Sequence, residues 1–326
     1  MALTALQLPE ELVTEIFNKA NGHSSIARLS DNKPLPFNGT KEFVFNLPGE
    51  ASIVAEGQAK PNSGDATMTP VIIRPIKFVY QTRVSDEFVK GEEDAKMDYL
   101  KQFGDGFAKK IGRALDIAAM HGLDPKTKVA VSDLATKNFD GVITNIVVYD
   151  ATAPDDNLDA AVAAIVANEM GVTGLAISPV FGAAMAKVKV NGVVQYPEFR
   201  FGGAPEKFAG YGLDMNTTVP VIPVGGNSDH AIVGDFANAF RWGYAKNMPL
   251  EVIEYGDPDG TGRDLKQFNE VCLRSEAYIG WGILDKDSFA IIRAGSAAAS
   301  AADDGDDGDD GDDGDDNGDN GNNGGT

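Results

Sequence analysis

Residues 77–88 read Lys77-Phe78-Val79-Tyr80-Gln81-Thr82-Arg83-Val84-Ser85-Asp86-Glu87-Phe88, and the change of character inside this stretch decides what its surroundings must be. From Lys77 to Val84 apolar and polar residues alternate with the period of two that a strand requires. Ser85-Asp86-Glu87 is then a helix-start signal. Upstream, the run back to Met68 predicts a long return strand, interrupted by Pro70 and Pro75. It follows a polar tip, Gly57 to Asp65, a strand-like run from Ala51 to Glu56 and a half-buried strand from Lys41 to Leu47 that turns Phe43, Phe45 and Leu47 to one face. Together these predict a long hairpin. Proline in a return strand places it at an edge or free of a sheet, and a two-stranded ribbon alone in water is marginal. Val71, Ile72, Ile73 and Ile76 are therefore expected to need cover from elsewhere in the protein or from another copy.

Downstream, from about Glu92 to His121, Met97, Leu100, Phe103, Phe107, Ile111, Leu115 and Ala118 recur every three or four positions, the stripe of a long amphipathic helix with Gly122 as its stop. At about 1.5 Å per residue such a helix spans on the order of 45 Å. Next come a predicted helix from Asp156 to Met170, with Leu158, Ala161, Val162, Ile165 and Val166 inward, a strand from Gly174 to Ser178 and a helix from Val180 to Lys187. Short strands are expected at Val219 to Val224, His230 to Gly234 and Leu250 to Tyr255. A long strand from Phe268 to Ile283 follows, then a helical turn from Asp285 to Phe289 and a closing strand over Ala290-Ile291-Ile292. Helices and short strands interleave without a repeated βαβ unit, which predicts an α+β fold. Before the hairpin, Pro9 to Ala20 reads as a short amphipathic helix with Leu12, Val13, Ile16 and Phe17 on one stripe, joined by an extended arm, Ser24 to Asn38.

The 326 residues carry 28 Lys plus Arg against 49 Asp plus Glu, a formal net charge of −21. That balance offers no basic patch for gripping a nucleic-acid backbone. From Asp303 to Thr326 the chain holds only Asp, Gly, Asn and one Thr, with eleven Asp, a composition that predicts a disordered tail. A single cysteine, Cys272, excludes an intrachain disulfide framework and suits a reducing compartment. No stretch reaches the roughly 18 apolar residues of a membrane span, and the start lacks a cationic signal-peptide region.

Enzyme motifs are missing: there is no GxSxG, HExxH, phosphate-loop Gly-Lys or GxGxxG. Asp229-His230 is an acid/base pair only on paper, because neighbours on a strand point to opposite faces. Asp257-Pro258-Asp259-Gly260-Thr261-Gly262 resembles the first half of a calcium loop, but Phe268 stands where the bidentate glutamate belongs; a hairpin turn accounts for the same residues. No catalytic residue, cofactor or metal site is expected.

Several runs resemble, in order and spacing, the major capsid proteins of tailed bacteriophages with the HK97 fold: Ala55-Glu56-Gly57-Gln58-Ala59-Lys60-Pro61, the quoted stretch from Lys77 to Phe88, Ile111-Gly112-Arg113-Ala114-Leu115-Asp116 up to Gly122, Ala231-Ile232-Val233-Gly234-Asp235-Phe236, and Val271-Cys272-Leu273-Arg274 through Asp285-Lys286-Asp287-Ser288-Phe289-Ala290. The resemblance covers nearly all of residues 1–295. It implies an N-terminal helix and arm over 1–40, a strand and extended E-loop hairpin over 41–84, a peripheral domain with its spine helix over 85–140 and an axial domain over 141–248. Return strands and a closing strand fill 249–295, before the acidic tail over 296–326. The implied function is structural: self-assembly into hexamers and pentamers of an icosahedral shell around double-stranded DNA, built in the host bacterial cytoplasm. Leu12, Ile16, Phe17, Lys60, Val71, Ile73 and Ile76 would meet neighbouring subunits. A portal is an implied partner, and the short segment before the hairpin implies a separate scaffold or none. Some members weld subunits by a Lys-to-Asn bond promoted by a glutamate; Lys60, Asn269 and Glu276 are the nearest candidates, in a register that does not match the family's. An encapsulin-like compartment shell shares the fold and is the alternative, with a hydrolase using Asp229, His230 or Glu276 as a remote one.

Overall fold

In the computed structural model the described residues are 23–295 except 47–48, 88–92, 223–225, 227 and 246–249; at 46, 93–100 and 250 only the backbone is considered. The segment carrying Leu12, Ile16 and Phe17 and the acidic tail lie outside them. The chain enters through a short helix, α1 (Ser25–Leu29), capped by the Ser24 hydroxyl. It then runs as an arm beside a later strand and rises into β1 (Thr40–Asn46), which pairs antiparallel with β2 (Thr67–Ile73) from Thr40 opposite Ile73 to Asn46 opposite Thr67. This is the expected hairpin with a corrected partner. Residues 51–55 form no strand, because nothing lies beside them to accept their hydrogen bonds, and the ascending strand is β1.

The long return run is also two strands. Arg74-Pro75 breaks it, and β3 (Ile76–Ser85) leaves the hairpin to join a different sheet. Helix α2 (Glu93–His121) follows, and Gly122 ends it at φ +65°, where a Cβ would lie 2.5 Å from the Asn138 amide. Beyond α3 (Phe139–Val142) come β4 (Ile146–Val148), α4 (Pro154–Val166), β5 (Gly174–Ile177), α5 (Pro179–Met185), the small pair β6 (Lys189–Val190) and β7 (Val193–Val194), then β8 (Lys207–Phe208) and β9 (Tyr211–Met215). The last third supplies β10 (Asp229–Gly234), β11 (Phe240–Tyr244), β12 (Leu250–Ile253), β13 (Glu270–Ile283) and β14 (Phe289–Arg293).

These strands make two main sheets. One has six strands in the order β4-β14-β10-β5-β9-β8; the other is built on β13, with β3 along one edge and β12 and β11 sharing the opposite edge. Alternation along β13 sends Ala277, Ile279 and Trp281 into a core shared with Phe107, Ile111 and Leu115 of α2. The same core takes Ile232 and Ile291 from one face of the six-stranded sheet, while Ala231, Val233, Ala290 and Ile292 on its other face pack with Ala161 and Ile165 of α4 and Phe181 of α5. Both faces of its central strands β14, β10 and β5 are buried, so these strands are apolar without alternation. β11 belongs to the sheet of β13, and β14 to the six-stranded sheet.

Other expectations are corrected by packing. Val166 is 57% exposed at the end of α4, one residue past the stripe that faces the sheet. Residues 219–222 are not a strand; the chain turns there, and β9 takes the sheet position beside β5 instead. Asp285 to Ser288 is a set of turns closed by Ser288 Oγ donating to Asp285 (2.8 Å).

Candidate functional site

The register of β1 and β2 fixes what each face of the hairpin shows. Glu42, Val44, Val71 and Ile73 share one face, and it turns inward: Ile73 is fully buried, Val71 and Ile73 lie over Gly282 of β13, and Glu42 pairs with Arg241 of β11 at 3.1 Å. Phe43, Phe45, Met68, Pro70 and Ile72 share the other face. Among the described residues nothing covers it. Phe43 is 61% exposed, Phe45 57%, Met68 59% and Ile72 44%. Beyond the paired strands the tip carries Ile53, fully exposed, and is closed at its neck by the Ser63 hydroxyl donating to the Glu50 carbonyl (2.7 Å). A contiguous apolar face of this kind on a projecting ribbon marks an interaction surface.

The expected contact residues divide accordingly. Ile73 is fully buried against Gly282, and Ile76 is half-buried against the core of β13. Val71 is half-buried. Lys60 is exposed in the tip. Asn269 sits at φ +51° in the turn before β13, and Glu276 is held by the Lys77 ammonium at 2.5 Å, an ordinary ion pair. The residues that do form the open face, Phe43 and Phe45, show the right alternation in sequence. What the sequence does not disclose is that none of the described residues of the same chain covers them.

Below the hairpin the arm is fastened by main-chain bonds. Lys33 N donates to the Trp242 carbonyl (3.0 Å) and Leu35 N to that of Tyr244 (3.1 Å). The approach is so close that a Cβ on Gly243 would fall 1.8 Å from the Lys33 carbonyl oxygen. Further back, Asp116 of α2 is buried and meets the start of α1, accepting from Ser24 Oγ, Ser25 N (2.9 Å), Ile26 N (3.2 Å) and Thr218 Oγ (2.7 Å). Burial pushes its carboxyl up to about 6 against the pull of those donors.

A second buried group joins the end of α2 to both sheet ends. His121 Nδ1 lies 2.8 Å from Asp140, and Arg293 bonds Asp229 (2.5 Å) and Asp140 (2.6 Å). Burial drives Asp229 up to about 7 despite Arg293. For His121 burial opposes charging, but Asp140 and Asp229 hold the imidazolium above its ordinary range. Oxygen and nitrogen atoms of His121, Asp140 and Asp229 lie within 4.8 Å of one another, a spacing a metal could use, yet the Arg293 guanidinium already supplies the positive charge there. His230 points to the opposite face of β10 and stacks on Tyr149 at 3.8 Å, away from Asp229 as strand geometry requires.

The calcium-like loop has a built-in cation. Arg83 of β3 reaches into it, donating to Asp257 (2.7 Å), to both oxygens of Asp259, to Thr261 Oγ (2.9 Å) and to the Arg263 carbonyl (3.0 Å). This guanidinium holds the Asp259 carboxyl well below the usual carboxylate range. The loop is a structural clamp on β3.

Comparison with known proteins fits this architecture. A family model described as the phage capsid family matches residues 5–294. A solved structure from Mycobacterium phage Ogopogo is 32% identical over 84% of this chain and 92% of its own, with a TM-score of 0.72. One from Gordonia phage Cozz is 24% identical over 83% and 87%, with a TM-score of 0.67. The capsid of an empty GTA particle, computed with C5 symmetry, is 15% identical over 83% and 90%, with a TM-score of 0.58. No curated protein matches the chain.

Proposed function

We infer from the chain's membership of the phage capsid family, as a structural major capsid protein with the HK97-type α+β fold, that it closes its shell by laying the open face of the β1–β2 hairpin on the adjacent subunit. The observation that carries this is the contiguous exposure of Phe43, Phe45, Met68 and Ile72 on one side of a ribbon whose other side is buried at Ile73 and half-buried at Glu42, Val44 and Val71. Apolar surface removed from water is worth about 25 cal/mol per Å², so repeated contacts of this size favour a closed assembly after ordering costs are met.

In this reading the subunits form hexamers and pentamers around double-stranded DNA, and the portal occupies one vertex. The two buried charge groups serve the subunit's own integrity, and no step of chemistry is assigned to them. Electron microscopy of the purified chain tests the reading: closed shells or capsomer rings are expected, and a monomer at every concentration would overturn it. Analysis of what native particles enclose separates a DNA container, which the reading requires, from a compartment loaded with protein.

A further inference from the structure

An acidic chain folds so as to gather one cationic cleft. A cavity of about 910 Å³ opens between α2 and β3, and Lys110 and Arg113 of α2 line it together with Lys126 and Lys128 of the following turn. Among the described residues no carboxylate is paired with any of the four. Arg113 donates to Thr217 Oγ (2.7 Å) and Lys128 to the Pro125 carbonyl (2.9 Å). Asp124, the nearest acid, spends its Oδ1 on the backbone of Lys126 and Thr127 and on the Thr127 hydroxyl. Lys77 and Arg274 also line the cavity, but Glu276 and Glu251 answer them at 2.5 and 3.8 Å. Burial, and then the like charge of Arg113, lower the Lys128 ammonium from its ordinary value. The open apolar wall of the cleft is β3, where Val79 is 49% exposed and Phe78 and Tyr80 are half-buried, whereas Ile111 and Ile117 of α2 are already buried. A phosphate backbone would leave that wall uncovered; an amphipathic acidic peptide would not.

Such a peptide begins at the cleft's edge. The His23 carbonyl accepts from the Asn216 side chain (3.3 Å), and the next residue, Thr217, receives Arg113. Going back from His23, the sequence places Phe17, Ile16, Val13 and Leu12 on one helical stripe, with Glu10, Glu11 and Glu15 beside it. Phe17 is six residues from His23, a reach of up to about 20 Å for an extended chain.

We propose that residues 9–20 dock in this cleft of their own chain, with Leu12, Ile16 and Phe17 against Val79 of β3 and Glu10, Glu11 and Glu15 facing Lys110, Arg113, Lys126 and Lys128. The segment thereby covers the apolar lining and balances four cations that, among the described residues, form no ion pair and have Asp124 as the acid beside them, and Leu12, Ile16 and Phe17 serve the subunit instead of its neighbour. Docking of this kind does not depend on what the shell encloses.

The test is carbodiimide coupling of the full-length chain, made separately as ¹⁴N and ¹⁵N subunits that are dissociated, mixed in equal amounts and reassembled, followed by mass spectrometry of linked peptides. The expected result is amide links from Glu10, Glu11 or Glu15 to Lys110, Lys126 or Lys128 in which both peptides carry the same isotope, with mixed pairs close to zero. Mixed pairs making up about half of the links would give the cleft to a neighbouring copy and overturn the proposal. So would freely reactive lysines with no link, or lysines shielded only until nuclease treatment, the mark of a nucleic-acid site.

Discussion

Replacing Phe43 and Phe45 together with serine separates assembly from folding. A phenylalanine side chain offers on the order of 200 Å², so exposures of 61% and 57% leave about 120 Å² open on each ring. At about 25 cal/mol per Å², covering both is worth about 6 kcal/mol per hairpin. If ordering of the ribbon and its partner consumes half, about 3 kcal/mol remains, which is a factor of about 150 in the association constant. The double variant is therefore expected to need a subunit concentration about two orders of magnitude higher before shells or capsomers form, measured by light scattering and sedimentation velocity. Its subunit should still unfold cooperatively. Ile73→Ala provides the opposite control: its side chain is fully buried on the other face of the same ribbon, and such truncations cost about 2–5 kcal/mol of fold stability. If the serine variant assembled at the wild-type concentration while Ile73→Ala did not, the faces of the hairpin have been assigned the wrong way round.

Three further outcomes follow from the interior. Asp116 and Asp229, raised to about 6 and about 7, and His121, raised above its ordinary value, all bind protons more tightly when folded, so their contribution is present at low pH and lost as pH rises through those values. Asp116 alone accounts for on the order of 1 kcal/mol between pH 5 and pH 8; thermal unfolding of the assembly-deficient subunit should show lower stability at pH 8, Asp116→Asn should flatten the slope, and stability rising with pH would refute the assignment. Because Arg83 fills the loop of Asp257 and Asp259, calcium should leave the melting temperature where an equal ionic strength of sodium leaves it, whereas Arg83→Met should lower that temperature. Gly243→Val, which drives a side chain into the Lys33 carbonyl, should free the arm and speed amide exchange at Lys33 and Leu35 relative to the rest of the chain.

How much of this was legible in the sequence depends on the range over which each feature is decided. The alternation of β13 and the stripe of α2 are local, so both are readable to within two residues. The hairpin's period was readable too, but its pairing was not: β1 and β2 are joined across twenty residues, and only the assembled sheet shows that Arg74-Pro75 diverts β3 to β13. β9 escapes because Tyr211-Gly212-Leu213-Asp214-Met215 contains residues depleted in strands; its place beside β5 and the bonds of Ser25 and Arg28 to Asp214 hold it. Arg83 gives no sign of its loop, which lies 174 residues away at Asp257. The cationic cleft was hidden by net composition, although Lys110 and Arg113, three apart on a helix, were the available signal.

The most direct measurement is a cryo-EM reconstruction of the assembled particle. The account predicts that each hairpin lies across the adjacent subunit, with Phe43, Phe45, Met68 and Ile72 buried there and Ile73 still seated on its own β13. Shells in which that face stays open to solvent, held together by other surfaces, would contradict it.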